Sequence, residues 1–247
     1  NKDVINHFKT IKLPGKASNQ IKADLVFKFS NGNSFEGVSL KSSLGAPSSL
    51  TNASRHTLIS YDLSPNETFN LSEANPDEKL DFVKSVKYVY ENTSNWDVTI
   101  DSDIYRESLL RIDESLPELL GILVFHSYLC KPRTLKNIFE KHAFIDVEKE
   151  IFKKFLEASF GGLMPAKKWD SVMECKCLID LKKDQSLLLY RYEENDSNLK
   201  DFLFNIVKFD TPSSRNSGIN ECVETVDERK KLYLSLQLRM DSNLASI

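Results

Sequence analysis

Alternation of apolar and polar residues predicts a β-hairpin near the start of the chain. Residues 23–29 (ADLVFKF) and 35–41 (FEGVSLK) are rich in Val, Leu and Phe, and Asn31-Gly32 between them is a typical hairpin turn. A third strand is predicted after a small-residue loop, at residues 56–63 (HTLISYDL). The chain therefore opens with strands that pair locally.

The hairpin turn also predicts which residues face each other. If the loop is symmetric about Asn31-Gly32, Leu25 lies opposite Val38 and Asp24 opposite Ser39. Because side chains alternate between the two faces of a strand, Ser39 and Lys41 share the face of Asp24. Diagonal neighbours across a strand pair have Cβ atoms roughly 7–8 Å apart, so Asp24 and Lys41 are expected to converge at one end of the hairpin.

Helical spacing of apolar residues dominates the middle of the chain. The predicted helices are one beginning at Asn75-Pro76 and others at residues 104–111, 116–129, 133–141 and 147–159. Alternation then returns, and the predicted elements are strands at residues 172–181 and 186–192, a helix at 199–205 and a strand at 231–239. This order predicts an α/β fold in which helices flank a mixed central β-sheet, with the hairpin at its edge.

Composition narrows the class of protein. The 247 residues are 40% hydrophobic and 28% charged, as in a soluble globular protein, and no apolar run reaches membrane-spanning length. Four cysteines are too few for a disulfide framework, so a cytoplasmic location is expected. The 33 basic and 36 acidic side chains give a net charge of −3, which argues against a general polyanion coat but not against a local nucleic-acid cleft.

Asp24 and Lys41 admit two interpretations. They form either a cross-strand salt bridge or a metal-dependent phosphodiesterase site, since an Asp and a Lys on adjacent strands resemble the PD-(D/E)xK arrangement of nucleases. That superfamily usually has an acidic residue two positions before the lysine, and this chain has Ser39 there. A second carboxylate would then come from Asp62 or from an acidic residue in a missing N-terminal segment.

Three ordered segments carry a more specific resemblance. They are GVSLKSSLGAPSSLTNAS (37–54), FLEASFGGLMPAKKWD (155–170), and DFLFNIVKFDTPSSR (201–215) followed by LYLSLQLRM (232–240). Together they resemble the HpaII-like type II restriction endonucleases, whose first segment runs approximately GFSIKSxLGxxPTLLNAS and also has Ser before its lysine. Members of that family are longer than this chain. We therefore expect one endonuclease domain over residues 1–247 and leave open whether an N-terminal helical segment is missing from it.

The resemblance implies a type II site-specific endonuclease of a restriction-modification system. Such an enzyme hydrolyses duplex DNA at a short sequence with Mg²⁺, and a homodimer is plausible for cutting both strands. The implied catalytic residues are Asp24, Ser39 and Lys41, with Asp24 as the metal ligand. The implied DNA contacts are Ser42, Asn52, Ser54, Arg55, Thr211, Ser213, Ser214 and Arg215. The alternative is a non-catalytic DNA-binding or interaction domain with a degenerate nuclease fold.

Overall fold

The computed structural model describes much of the chain as strands and helices. The described residues are 24–28, 35–42, 48–62, 98–129, 132–141, 144–172, 174–181, 187–191, 197–210, 223–226 and 229–240. The strands are β1 (Leu25–Lys28), β2 (Phe35–Ser42), β3 (Ser49–Thr51), β4 (Leu58–Asp62), β5 (Val98–Ile100), β6 (Cys175–Leu181), β7 (Leu187–Arg191), β8 (Val207–Phe209), β9 (Val223–Val226), β10 (Arg229–Ser235) and β11 (Leu238–Met240). The helices are α1 (Asp103–Leu110), α2 (Leu116–Leu129), α3 (Leu135–Lys141), α4 (Asp146–Gly161) and α5 (Ser197–Ile206).

The predicted hairpin is confirmed with its register. β1 pairs antiparallel with β2, and Leu25 lies opposite Val38. The strand order of this first sheet is β1-β2-β6-β7, which places β1 at an edge of the described sheet. β6 runs parallel to β2, and β7 returns antiparallel to β6 as the second predicted hairpin. The first sheet is therefore mixed, as expected.

The other described strands form two further sheets, so the expectation of one central sheet is corrected. The second sheet has the order β5-β4-β10-β9 and the third the order β3-β11-β8. The mixture of helices and sheets agrees with the predicted α/β class. β4 begins at Leu58, two residues later than predicted, because Arg55–Thr57 form a 3₁₀ turn.

The strand predicted at residues 231–239 was wrong as one element. β10 ends at Ser235 in the second sheet, and β11 begins at Leu238 in the third. Between them, the Leu236 N–H donates to the Thr57 carbonyl at 2.9 Å, which holds the chain where it passes from one sheet to the other. Leu234, Leu236 and Leu238 are all buried, so the alternation continues across the break and does not reveal it.

The predicted helices are confirmed to within two residues where the structure describes them, and they enclose the core. α2 has the predicted bounds, and most of its apolar residues are buried. An aromatic cluster joins α3, α4 and β8: the ring centroid of Phe152 lies 5.6 Å from that of Phe139 and 6.0 Å from that of Phe209. Such aromatic packing stabilises the contacts among α3, α4 and β8.

Two predicted regions lie outside the described residues. These are the helix beginning at Asn75-Pro76 and the segment Thr211, Ser213, Ser214 and Arg215. In the described ranges no helix has the length and apolar character needed to cross a membrane.

The contact between α2 and β5 gives a stability prediction. A Cβ atom added to Gly121 would overlap Val98 Cγ1, and the Gly121 carbonyl also accepts the Tyr61 hydroxyl at 2.7 Å. Overpacking costs about 1–3 kcal/mol, whereas the gain in helix propensity from Gly to Ala is at most about 1 kcal/mol. We expect Gly121→Ala to lower the free energy of unfolding by roughly 1–2 kcal/mol in urea titrations. Glu118→Ala, on the exposed face of α2, serves as control and should change it by less than about 0.5 kcal/mol.

Candidate functional site

Asp24, directly before β1, is held by hydrogen bonds to residues of β2. Its N–H donates to the Val38 carbonyl at 2.9 Å, and its Oδ2 accepts the Leu40 N–H at 2.7 Å. The Ser39 hydroxyl lies 3.4 Å from the same oxygen and can donate to it. No hydrogen bond to Asp24 Oδ1 comes from the residues that the structure describes. The carboxylate is therefore oriented through one oxygen and presents the other.

Lys41 lies on the same face, two residues beyond Ser39. Ser39 is buried, with 2% of its surface exposed, whereas Lys41 is partly exposed and Asp24 is exposed. Within the described part of the chain, Asp24 is held by hydrogen bonds from Ser39 and Leu40 and forms no ion pair with Lys41. The salt-bridge interpretation therefore does not describe this end of the hairpin, where a carboxylate and an ammonium group are presented separately.

Asp24 fits the role of a single ligand to a hard cation. Mg²⁺ is commonly held by one or two carboxylates, with waters and substrate phosphates completing an octahedral shell. An exposed carboxylate with one oxygen held by Leu40 and Ser39, and with no hydrogen bond to the other from the described residues, suits such a site. Among the described residues, no group of three or more His, Cys, Asp or Glu side chains is placed to hold a metal ion by itself. A metal at Asp24 would therefore depend on ligands from elsewhere, including a substrate.

Two other acidic residues on strands, Asp62 and Asp180, are placed differently from Asp24. Asp62 ends β4 opposite Lys231, in the second sheet, so it does not belong to the sheet of Asp24. Asp180 of β6 is in register with Lys41, on the adjacent parallel strand. Two strand spacings and an offset of two residues separate the Cα atoms of Asp24 and Asp180 by roughly 12 Å. Asp180, which sequence reasoning missed, is thus a neighbour of Lys41 rather than of Asp24.

In the small third sheet, the strand before the Asn52 loop and the strand before Asp210 end on the same side. β3 and β8 both run antiparallel to β11, so they are parallel to each other and end at the same edge. Thr51 and Phe209, their last residues, both lie opposite Leu238. The loop starting at Asn52 and the chain leading to Thr211 therefore leave from the same end of the third sheet.

The loop after β3 contains exposed and structural polar groups. Asn52 is exposed, and its amide has no hydrogen bond to the described residues. Ser54 caps the 3₁₀ turn: its hydroxyl oxygen accepts the His56 N–H at 3.2 Å, and its own N–H donates to Thr57 Oγ1 at 2.9 Å. The exposed Arg55 donates through Nε to His56 Nε2 at 3.1 Å. Asn52 and Arg55 are thus presented to solvent, whereas Ser54 also holds the turn.

Ser42 ends β2, directly after Lys41. Five residues, 43–47, connect it to Ser48, so the candidate catalytic strand feeds into the third sheet through a short link. An extended chain spans at most roughly 3.3–3.6 Å per residue, so a connection of this length limits the distance between Ser42 and Ser48. The Lys41 end of β2 and the loop after β3 therefore belong to one continuous stretch of chain.

Comparison with known proteins gives consistent results. The sequence model of the HpaII restriction endonuclease family matches residues 1–241. The type II restriction enzyme HpaII of Haemophilus parainfluenzae is 25% identical over 226 residues, which covers 82% of this chain and 59% of that protein. The chain thus spans about three fifths of the length of this relative. No solved structure matches the chain.

Proposed function

Because this chain belongs to the HpaII restriction endonuclease family, we propose that it is a type II site-specific deoxyribonuclease that cleaves duplex DNA with Mg²⁺. The observation that carries this proposal is the end of the β1–β2 hairpin, where the oriented carboxylate of Asp24 and the partly exposed Lys41 share one face. An Asp and a Lys on adjacent strands of a mixed sheet are the arrangement expected of a PD-(D/E)xK nuclease core. The similarity to a type II restriction enzyme supports the same class of activity.

The residues of the site would have distinct roles. A divalent ion held by Asp24 and by phosphate oxygens would supply an activated water and neutralise charge on the scissile phosphate. The Leu40 N–H and the Ser39 hydroxyl hold Asp24 Oδ2, so that the carboxylate would bind the ion with little reorganisation. Lys41 would stabilise the negative charge that develops on the phosphate and position the water. Ser39 acts through Asp24 and is therefore a positioning residue.

Recognition of DNA would involve the end of the third sheet. Asn52 and Arg55 are exposed there, and amide and guanidinium groups are suited to base edges and phosphates. We propose that Ser42, Ser54, Thr211, Ser213, Ser214 and Arg215 add further contacts. We also propose that the chain forms a single domain, works as a cytoplasmic homodimer and belongs to a restriction-modification system.

One observation favours a second candidate function. Ser39 stands where the nuclease superfamily usually has an acidic residue, and among the described residues no group of three or more His, Cys, Asp or Glu side chains is placed to hold a metal ion. A DNA-binding domain that has lost its catalytic activity would have such a set of site residues. Such a domain would bind DNA equally well with and without a divalent ion.

Incubation of supercoiled plasmid with the protein separates the two functions. With Mg²⁺ we expect linear DNA or discrete fragments, and with EDTA or Ca²⁺ the plasmid should stay supercoiled. Plasmid that remains intact with Mg²⁺ but is retarded in a native gel would support the binding domain instead. Cleavage that persists in EDTA would argue against a metal-dependent mechanism.

A further inference from the structure

Gln237 lies at the end of the third sheet where β3 leads into Asn52 and β8 leads into Asp210. It precedes Leu238, which lies between Thr51 of β3 and Phe209 of β8. The Asp210 N–H donates to the Gln237 carbonyl at 3.0 Å, which continues the β8–β11 pairing by one residue. On the other side, Asn52 follows Thr51. Gln237 therefore precedes β11 at the end of the third sheet where Asn52 follows β3 and Asp210 follows β8.

The backbone at Gln237 is held on both sides while its side chain is accessible. Leu236 and Leu238 are buried, with 1% and 0% of their surfaces exposed, and the Leu236 N–H is bonded to the Thr57 carbonyl. Gln237 itself is partly exposed, and its side-chain amide has no hydrogen bond to the residues in the described ranges. A side chain on a fixed strand end is presented more accurately than one on a free loop.

The neighbouring charges favour a base edge over a phosphate as the ligand of this amide. Arg239, two residues further on, donates through Nε to the Asp210 carboxylate, so this cation is already paired within the protein. A phosphate offers acceptors alone, whereas the edges of base pairs in the major groove offer donors and acceptors side by side. A primary amide offers one of each, which matches adenine with two hydrogen bonds.

We propose that Gln237 is a specificity-determining residue that contacts a base edge in the major groove, next to Asn52. This inference rests on the proposed function, since it requires cleavage of duplex DNA at a defined sequence. It assigns sequence discrimination to the junction of β10 and β11, and leaves catalysis to the hairpin of Asp24 and Lys41.

The test compares cleavage rates of the wild-type protein, Gln237→Ala and Gln237→Glu on the cognate duplex and on duplexes with each base pair replaced in turn. We expect the ratio of cognate to non-cognate rates to fall at one base-pair position by roughly 5- to 150-fold, the usual range for loss of a bidentate contact. Asn205→Ala is the matched control, because Asn205 is an exposed amide on α5, at the opposite end of β8. It should leave every ratio unchanged.

The outcomes separate this inference from the proposed function. Wild-type cleavage at a defined site, with unchanged ratios in both Gln237 variants, would overturn the inference alone, even if all rates fall uniformly. Absence of cleavage by the wild-type protein would overturn the proposed function and this inference with it. Thermal unfolding establishes that each variant is folded, and Gln237→Glu, which preserves size, carries the test if the alanine variant is unfolded.

Discussion

Replacing Lys41 by alanine is expected to lower the rate of DNA cleavage by about 100- to 1000-fold, the usual cost of removing a preorganised group that stabilises transition-state charge. Lys41 is partly exposed, and the structure gives it no ion pair with Asp24, so its loss should leave the fold intact. Affinity for DNA should change by no more than a few-fold, since one phosphate contact among many is removed. Single-turnover cleavage and equilibrium binding in Ca²⁺ measure the two effects separately.

Lys136→Ala is the control for Lys41. The side chain of Lys136, on α3, is 76% exposed, and its Nζ lies 3.9 Å from Glu140 Oε1. A surface ion pair of this kind contributes little to stability. Its replacement should change cleavage by less than about twofold, in keeping with a small surface effect. If Lys41→Ala and Lys136→Ala cleave at similar rates, Lys41 has no catalytic role.

Asp24→Asn is expected to reduce cleavage by at least about 100-fold, because it removes the negative charge that would hold the metal ion. The asparagine carbonyl can still accept the Leu40 N–H, so the hairpin end should keep its geometry. Calorimetry in the presence of DNA should show that the variant binds Mn²⁺ or Ca²⁺ more weakly, in parallel with the loss of cleavage. This second measurement separates a lost metal ligand from a general loss of activity.

Asp101→Asn is a closely matched control for Asp24. Asp101 is exposed, and its Oδ1 accepts the Ser60 hydroxyl at 2.8 Å, much as Asp24 Oδ2 receives Ser39. It lies next to β5, in a different sheet. Asp101→Asn should leave both metal binding and cleavage near the wild-type values, and equal losses in the two variants would refute a special role for Asp24.

The hairpin could be predicted from sequence because its determinants are local. The Asn31-Gly32 turn and the alternation of Leu25 and Val38 with polar residues fix the register, and the structure has that register. Side-chain parity then placed Asp24, Ser39 and Lys41 on one face. The hydrogen bond from the Leu40 N–H was not predicted, since it depends on the exact approach of Asp24 to the neighbouring strand.

Long-range pairing accounts for what the sequence did not reveal. Asp180 comes into register with Lys41 through a parallel pair whose strands are far apart in the chain, and no local pattern encodes such a contact. The break at Leu236 and Gln237 is hidden because leucine recurs at every second position, 234, 236 and 238, on both sides of it. The pairing of both Thr51 and Phe209 with Leu238 involves three strands that are distant in sequence.

Short-range capping gives Ser54 a structural role that was not predicted. Its contact with DNA stays a prediction, and its hydroxyl oxygen accepts the His56 N–H at the start of the 3₁₀ turn. The sequence Ser-Arg-His-Thr contains a serine that can cap and a threonine that can return the bond, which is a signal for a turn that begins before β4.

Sequencing the ends of DNA fragments tests the central claim most directly. A long, unmethylated DNA is incubated with the protein and Mg²⁺, and the 5′ ends that appear are compared with those in EDTA. The proposed function predicts that nearly all new ends fall at one short sequence, and that Lys41→Ala produces very few of them. New ends spread without sequence preference, or no new ends beyond those in EDTA, would contradict a site-specific, metal-dependent endonuclease.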